Sequence, residues 1–231
     1  MTITQISYQI SDLTAAEAFY RDVLGFETIR APSRLTCQAR HGAELRFQQA
    51  DVAQHAPDPQ GRYWKICLTM PDLDRAAAHL RRIGWPVSAP RQFRDIGYMC
   101  HLADPSGLSI ELLPHGFEGA ARPGPDGHDI GAQATLAHLT LRSSSRAAAD
   151  AEWVTGAGMK LMSVQPVPSH GFALYFYAKT DDTPPQPALE HVGNREWLWR
   201  RRYTLVEVQV FDDRRAIAAN DPAMAGMISA S

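Results

Sequence analysis

The sequence predicts an α+β fold built on a repeated β-α-β-β-β unit, present about three times with a fourth copy missing. Two observations carry this. Three segments, opening near Gln5, Lys65 and His138, share one order of elements: an alternating strand, a helix at 3.6-residue spacing stopped by glycine, then three more strands. Each copy also closes on a strand with a glutamate between apolar neighbours, Glu44, Glu111 and Glu207. Roughly twenty residues follow Phe211, too few for another copy.

The first unit opens with "QISYQIS", whose Ile6, Tyr8 and Ile10 alternate with Gln5, Ser7 and Gln9. Leu13, Ala16, Phe19, Tyr20 and Val23 then mark one face of a helix ending at Gly25, before strands "FETIRAP", "RLTCQAR" and "AELRFQQ". The second unit opens with "WKICLTM". Its helix carries Leu73, Ala76, Ala77, Leu80 and Ile83 and stops at Gly84, and "WPVSAP", "YMCHLAD" and "LSIELLP" follow. The third runs from "AHLTLRS" through helix "SRAAADAEWVTGAG" to "MKLMSVQPV", "FALYFYA" and "YTLVEVQVF". A Gly/Pro-rich stretch, 116–133, separates the third unit, 134–211, from the pair in 1–115. The third unit carries an insertion, 179–202, and 212–231 form a tail.

A net charge of −2 argues against a nucleic-acid partner, and no apolar run is long enough to span a bilayer. No signal peptide is read at the N-terminus, and three cysteines without CxxC spacing argue against disulfides or a cysteine zinc site. A cytoplasmic location is expected. In the insertion, Asn194 is placed to cap a short helix anchored by Trp197 and Trp199, either as a lid over a pocket or as an interface helix.

"ISYQISDLTAAEAFYRDVLGFE" resembles the opening of a vicinal oxygen chelate protein, the glyoxalase, bleomycin-resistance and extradiol-dioxygenase superfamily. "DPSGLSIELL" resembles the family's other hallmark, an Asp-Pro-x-Gly turn leading into a glutamate-bearing strand. The third unit matches more loosely, with Ser-Ser for Asp-Leu and Ala-Gly-Met for Leu-Gly-Phe. The resemblance implies that two units pair so that their curved mixed sheets form an open cup. It also implies metal ligands at two positions per unit, early in the first strand and in the last strand.

Those positions fall on Gln5 and Glu44, on Lys65 and Glu111, and on His138 and Glu207. If units one and two pair, Lys65 spoils their cup as a metal site, because an ammonium has no lone pair to give. Gln5, Glu44, Lys65 and Glu111 are then a metal-free set, with Lys65 ion-paired to a glutamate. His138 and Glu207 are the better metal pair, for iron, manganese or zinc. Lacking a fourth unit, they would be completed by a second chain in a homodimer, as a two-His, two-Glu site. His101 and His170 are candidate acid–base residues, with surface or turn roles as alternatives. Arg142, Tyr175 and Tyr177 are candidates to line the substrate pocket. The expected function is a metal-dependent enzyme acting on a small oxygen-rich, possibly aromatic, substrate, by ring-cleaving oxygenation or by lyase or isomerase chemistry. The competing expectation is a non-catalytic protein that sequesters a small molecule.

Overall fold

The computed structural model describes residues 3–117, 130–131 and 133–218. Residues 118–129 and 132 of the expected linker, and 219–231 of the expected tail, lie outside them.

The first unit comprises β1 (Gln5–Ile10), α1 (Leu13–Ala18, continuing as a wider turn through Phe19–Val23), β2 (Glu27–Ala31), β3 (Arg34–Gln38), β4 (His41–Gly42) and β5 (Glu44–Gln49). The second comprises β6 (Tyr63–Met70), α2 (Leu73–Arg82), β7 (Arg91–Phe93), β8 (Gly97–Ala103) and β9 (Ser109–Pro114). The third comprises β10 (Thr135–Ser143), α3 (Arg146–Asp150, widening through Ala151–Gly156), β11 (Lys160–Val167), β12 (Phe172–Ala178), α4 (Gly193–Trp199) and β13 (Leu205–Phe211). Each unit's main helix starts where an aspartate or serine turns its side chain onto free amides, Asp12, Asp72 and Ser145.

The units do not pair as expected. Strands β1-β5-β3-β2 form a sheet of their own, whereas units two and three share a nine-stranded sheet in the order β11-β12-β13-β10-β6-β9-β8-β7, with β4 beside β10. The join is the antiparallel pair of first strands, β6 and β10. The burial patterns give the reason. β6 and β10 are buried on nearly every residue, as strands covered on both faces must be, whereas β1 alternates buried and half-exposed. The first unit packs its apolar face onto the second instead, with Tyr8 against Tyr63 and Phe19 against Trp85.

The Asp-Pro-Ser-Gly turn is held by Asp104, whose Oδ1 accepts from the Ser106 and Leu108 amides at 2.8 and 2.9 Å. Its Oδ2 accepts from the Tyr20 hydroxyl at 3.2 Å, tying the first unit's helix to the second unit. Burial pushes the Asp104 carboxyl from 3.8 up to about 6, against the hydrogen bonds that favour its charge. A carboxyl raised on folding stabilises the fold below its unfolded pKa, and that contribution is lost as pH rises through the folded value. Urea unfolding of wild type and Asp104→Asn is therefore expected to show wild type losing ground from pH 4 to pH 7. The shift is on the order of 2 kcal/mol.

Candidate functional site

The β6–β10 pairing decides which side chains meet. Its register sets Leu139 opposite Ile66, His138 opposite Cys67 and Thr140 opposite Lys65. Parallel neighbours flank the pair, β9 placing Glu111 beside Cys67 and β13 placing Glu207 beside Thr140. Strand alternation then aims Lys65, Cys67, Glu111, His138, Thr140 and Glu207 at one wall of the curved sheet.

There Lys65 Nζ lies 2.5 Å from Glu111 and 3.8 Å from Glu207. His138 Nε2 is 3.0 Å from Glu207 and 3.6 Å from Glu111. Thr140 donates its hydroxyl to Glu207, and His101 meets Glu111 at 3.0 Å. Neither nitrogen of His138 makes an aligned hydrogen bond, so its link to the carboxylates is one of charge. All four charged residues of the cluster are at most 4% exposed.

Burial alone would neutralise these groups, and their mutual charges outweigh it. Glu111 and Glu207 are held below the ordinary carboxylate range, chiefly by Lys65. Lys65 is held above the ordinary lysine range by both glutamates. Against burial, the neighbouring Glu207 and Glu111 carboxylates draw His138 above the ordinary histidine value.

The cluster forms the floor of a pocket of about 300 Å³. Its walls are apolar and aromatic: Trp64, Phe93, Ile96, Met99, Phe172, Leu174, Phe176 and Trp199, with Arg91, Gln165 and Gln209 as the added polar groups. The insertion provides Trp199, which stacks on Phe117 with centroids 5.9 Å apart. It crosses Gly97 so closely that a Cβ there would lie 2.8 Å from the indole. Helix α4 thus closes one side of the pocket. Asn194 does not cap it: its side chain brackets the preceding loop, accepting from the Gln186 amide and donating to the Gln186 and Ala188 carbonyls.

Of the residues singled out from sequence, His138, Glu207, Lys65, Glu111, His101 and His170 all line this pocket. The expectation that a second chain completes His138 and Glu207 is overturned, since Lys65 and Glu111 of the same chain stand beside them. Gln5 and Glu44 are on the other sheet, where Glu44 pairs with Arg46 at 2.7 Å. By register, Arg46 stands opposite Ser7 as Glu111 stands beside Cys67, so Glu44 is two residues out of step with its counterparts. Arg142, expected in the pocket, instead gives its guanidinium to the carbonyls of Asp58, Gly61 and Tyr63 and to Gln209. Tyr175 and Tyr177 face away from the pocket, Tyr175 under Arg146 and Tyr177 bonded to Asp150 at 2.8 Å. Trp64, Phe172 and Phe176 were missed. Trp64 has the opposite alternation from Lys65 in the sequence, but the β6–β10 register shifts there, with Lys65 opposite Thr140 and Tyr63 opposite Leu141, and the indole lies 4.5 Å from the Lys65 ammonium.

Cys67, Glu111 and His138 offer ligand atoms within 4.8 Å of one another, a group able to hold a metal ion. The donor set as it stands fits a divalent cation poorly. Lys65 occupies the space between the carboxylates, and burial raises the Cys67 thiol so that it keeps its proton.

A family model described as Glyoxalase/Bleomycin resistance protein/Dioxygenase superfamily matches residues 2–112. Among solved structures, glyoxalase I from Zea mays is similar at 14% identity and a TM-score of 0.63, covering 91% of this chain and 67% of its own. The chain thus spans about two thirds of that relative's length. A glyoxalase/bleomycin resistance protein/dioxygenase from Nocardioides shares 24% identity over 55% of this chain and 90% of its own, with a TM-score of 0.42. An antibiotic binding protein from a Streptomyces species shares 24% over 49% and 95%, with a TM-score of 0.39. No curated protein sequence matches. Among the described residues, no helix is long and apolar enough to cross a membrane.

Proposed function

Through residues 2–112 the chain belongs to the glyoxalase/bleomycin resistance protein/dioxygenase superfamily, and on that premise we propose that its second and third units form a metal-free binding pocket for a small, largely apolar or aromatic molecule. The observation that carries this is Lys65, whose ammonium lies between the two glutamates at the family's ligand positions. The lysine supplies positive charge where a metal would otherwise bring it. A ligand enters past His101 and His170, stacks its apolar body among Phe172, Phe176 and Trp199, and turns its polar end toward the floor. His101, partly exposed and held by Glu111, is positioned to exchange a proton with such a ligand.

The test uses the indoles of Trp64 and Trp199, which line the pocket. Titration with a panel of small aromatic phenols, ketones and carboxylates is expected to change tryptophan fluorescence saturably for at least one class. Phe176→Asp, which sets a carboxylate among the pocket's rings, is expected to weaken that binding about tenfold or more, ~1.4 kcal/mol. Saturable binding that Phe176→Asp leaves unchanged would place the ligand elsewhere and contradict the proposal.

A second reading, a metal-dependent enzyme of the ring-cleaving, lyase or isomerase kind, is favoured by the Cys67, Glu111 and His138 group. It requires Lys65 to give up its proton or swing out of the cluster, and His138 and Glu207 to become ligands to iron, manganese or zinc. Metal content separates the two readings.

A further inference from the structure

The first unit has the same parts as its two sisters but lacks their partner. Gln5, Lys65 and His138 each lie seven residues before a helix N-cap, Asp12, Asp72 and Ser145, so β1, β6 and β10 are equivalent strands. β6 and β10 pair antiparallel about Ile66 and Leu139, each of which directly follows the unit's first ligand position. Transferred to the first unit, that pairing is centred on Ile6 and becomes a twofold relation of β1 with another β1. Gln5 would stand opposite Ser7 of the partner subunit, as Lys65 stands opposite Thr140 and Cys67 opposite His138.

The backbone of β1 is oriented for it. The carbonyls of Thr4 and Ile10 accept from the Glu44 and Ala50 amides, so the even-numbered residues of β1 direct their backbone groups to β5. Those of Gln5, Ser7 and Gln9 therefore point at the other edge, which ends its sheet among the described residues. Residues 5 and 7 are the ones that the transferred register makes hydrogen-bonded pairs.

The edge also lacks what keeps edges apart. Among the other sheet-ending strands, β2 carries Glu27 and Arg30, β7 carries Arg91, and β11 carries Lys160 and Pro166. β1 carries neither a charge nor a proline. Beside it, Gln5, Ser7, Gln9, Glu44, Arg46 and Gln48 form a half-exposed face, where the equivalent Lys65, Cys67, Thr69, His138 and Thr140 are buried.

We infer that two copies of this chain join through β1, Ile6 against Ile6, and so complete a second cup whose floor takes Gln5, Glu44 and Arg46 from each copy. That cup is polar and charged where the cup of units two and three is aromatic, and neither chain has it alone.

Sedimentation of the full chain at micromolar concentration tests this, with Ser7→Pro and a Gln5→Cys/Ser7→Cys double variant. Ser7→Pro removes an amide that faces the edge and is not used by β5. Wild type is expected to sediment as a dimer and Ser7→Pro as a monomer with an unchanged far-UV circular dichroism spectrum. On mild oxidation, the double cysteine variant is expected to give a reducible covalent dimer, while Ser169→Cys, in the turn between β11 and β12 of the other sheet, does not. A monomeric wild type overturns the inference, as does a dimer that survives Ser7→Pro without β1 cross-linking. If Ser7→Pro fails to fold, the cross-link decides alone.

Discussion

Lys65→Met is expected to lower stability at neutral pH by about 3–5 kcal/mol, the cost of leaving a buried charge without its partner. Lys65 is 3% exposed and reaches both Glu111 and Glu207, so its loss leaves two buried carboxylates without their ammonium, supported by His138, by His101 on Glu111 and by the Thr140 hydroxyl on Glu207. The pH dependence follows from the directions of the shifts. In wild type, the lowered Glu111 and Glu207 give stability that is present above the unfolded value of 4.5 and lost as pH falls through their folded values. Raised Lys65 gives stability that is present below 10.5 and lost as pH climbs through its folded value. Without the lysine the carboxyls rise, so the gap between variant and wild type is expected to narrow in acid. Adding Glu111→Gln to Lys65→Met is expected to recover part of the loss, because one of the stranded charges goes with it. Urea unfolding of wild type and the two variants checks this, and a single-variant loss under about 1 kcal/mol would mean that the pair is as weak as an exposed one.

Arg142→Met is expected to cost about 3 kcal/mol or more. Arg142 is 7% exposed, and its Nη1 donates to three backbone carbonyls, Asp58, Gly61 and Tyr63, at 2.9, 2.9 and 3.0 Å. Nε donates to Gln209 at 3.0 Å. These bonds fold the segment before β6 back onto the end of β10, and methionine fills the volume but supplies no donor. The loss should be local as well as global. Proteolysis near Asp58–Arg62 is expected to quicken in the variant, and unfolding by urea gives the magnitude. An unaltered midpoint would show that solvent satisfies those carbonyls equally well.

The repeat was legible because helix and strand periodicities survive one residue at a time. The spacing from Gln5, Lys65 and His138 to their helix starts is a property of the chain alone. Which units pair is not such a property. It depends on whether a strand is covered on both faces, and "WKICLTM" and "LAHLTLRS" differ from "QISYQIS" in that respect only slightly, by fewer amides. Hence His138 and Glu207 were rightly seen as neighbours, while Lys65 and Glu111 were assigned to a different cup. Arg142 shows the limit of alternation. It shares the face of His138, but four residues further along, the strand has run past the pocket and into the loop that ends at Arg62. The first unit shows the limit of aligned glutamates, since a two-residue difference in register puts Arg46 where Glu44 was expected. Apart from Trp64 of β6, the aromatic walls come from β7, β12 and α4, whose placement over the floor is set by sheet curvature and not by any local pattern.

The most direct test is the metal content of the full chain purified without chelators, measured beside Lys65→His after both are equilibrated with zinc(II) or manganese(II). In wild type the ammonium of Lys65 holds the place between Glu111 and Glu207, so no stoichiometric metal is expected. In Lys65→His, a lone-pair donor joins His138 and the two glutamates, and about one metal per chain with a raised melting temperature is expected. Stoichiometric metal in wild type, lost on His138→Ala, would contradict the account and make the second reading the right one.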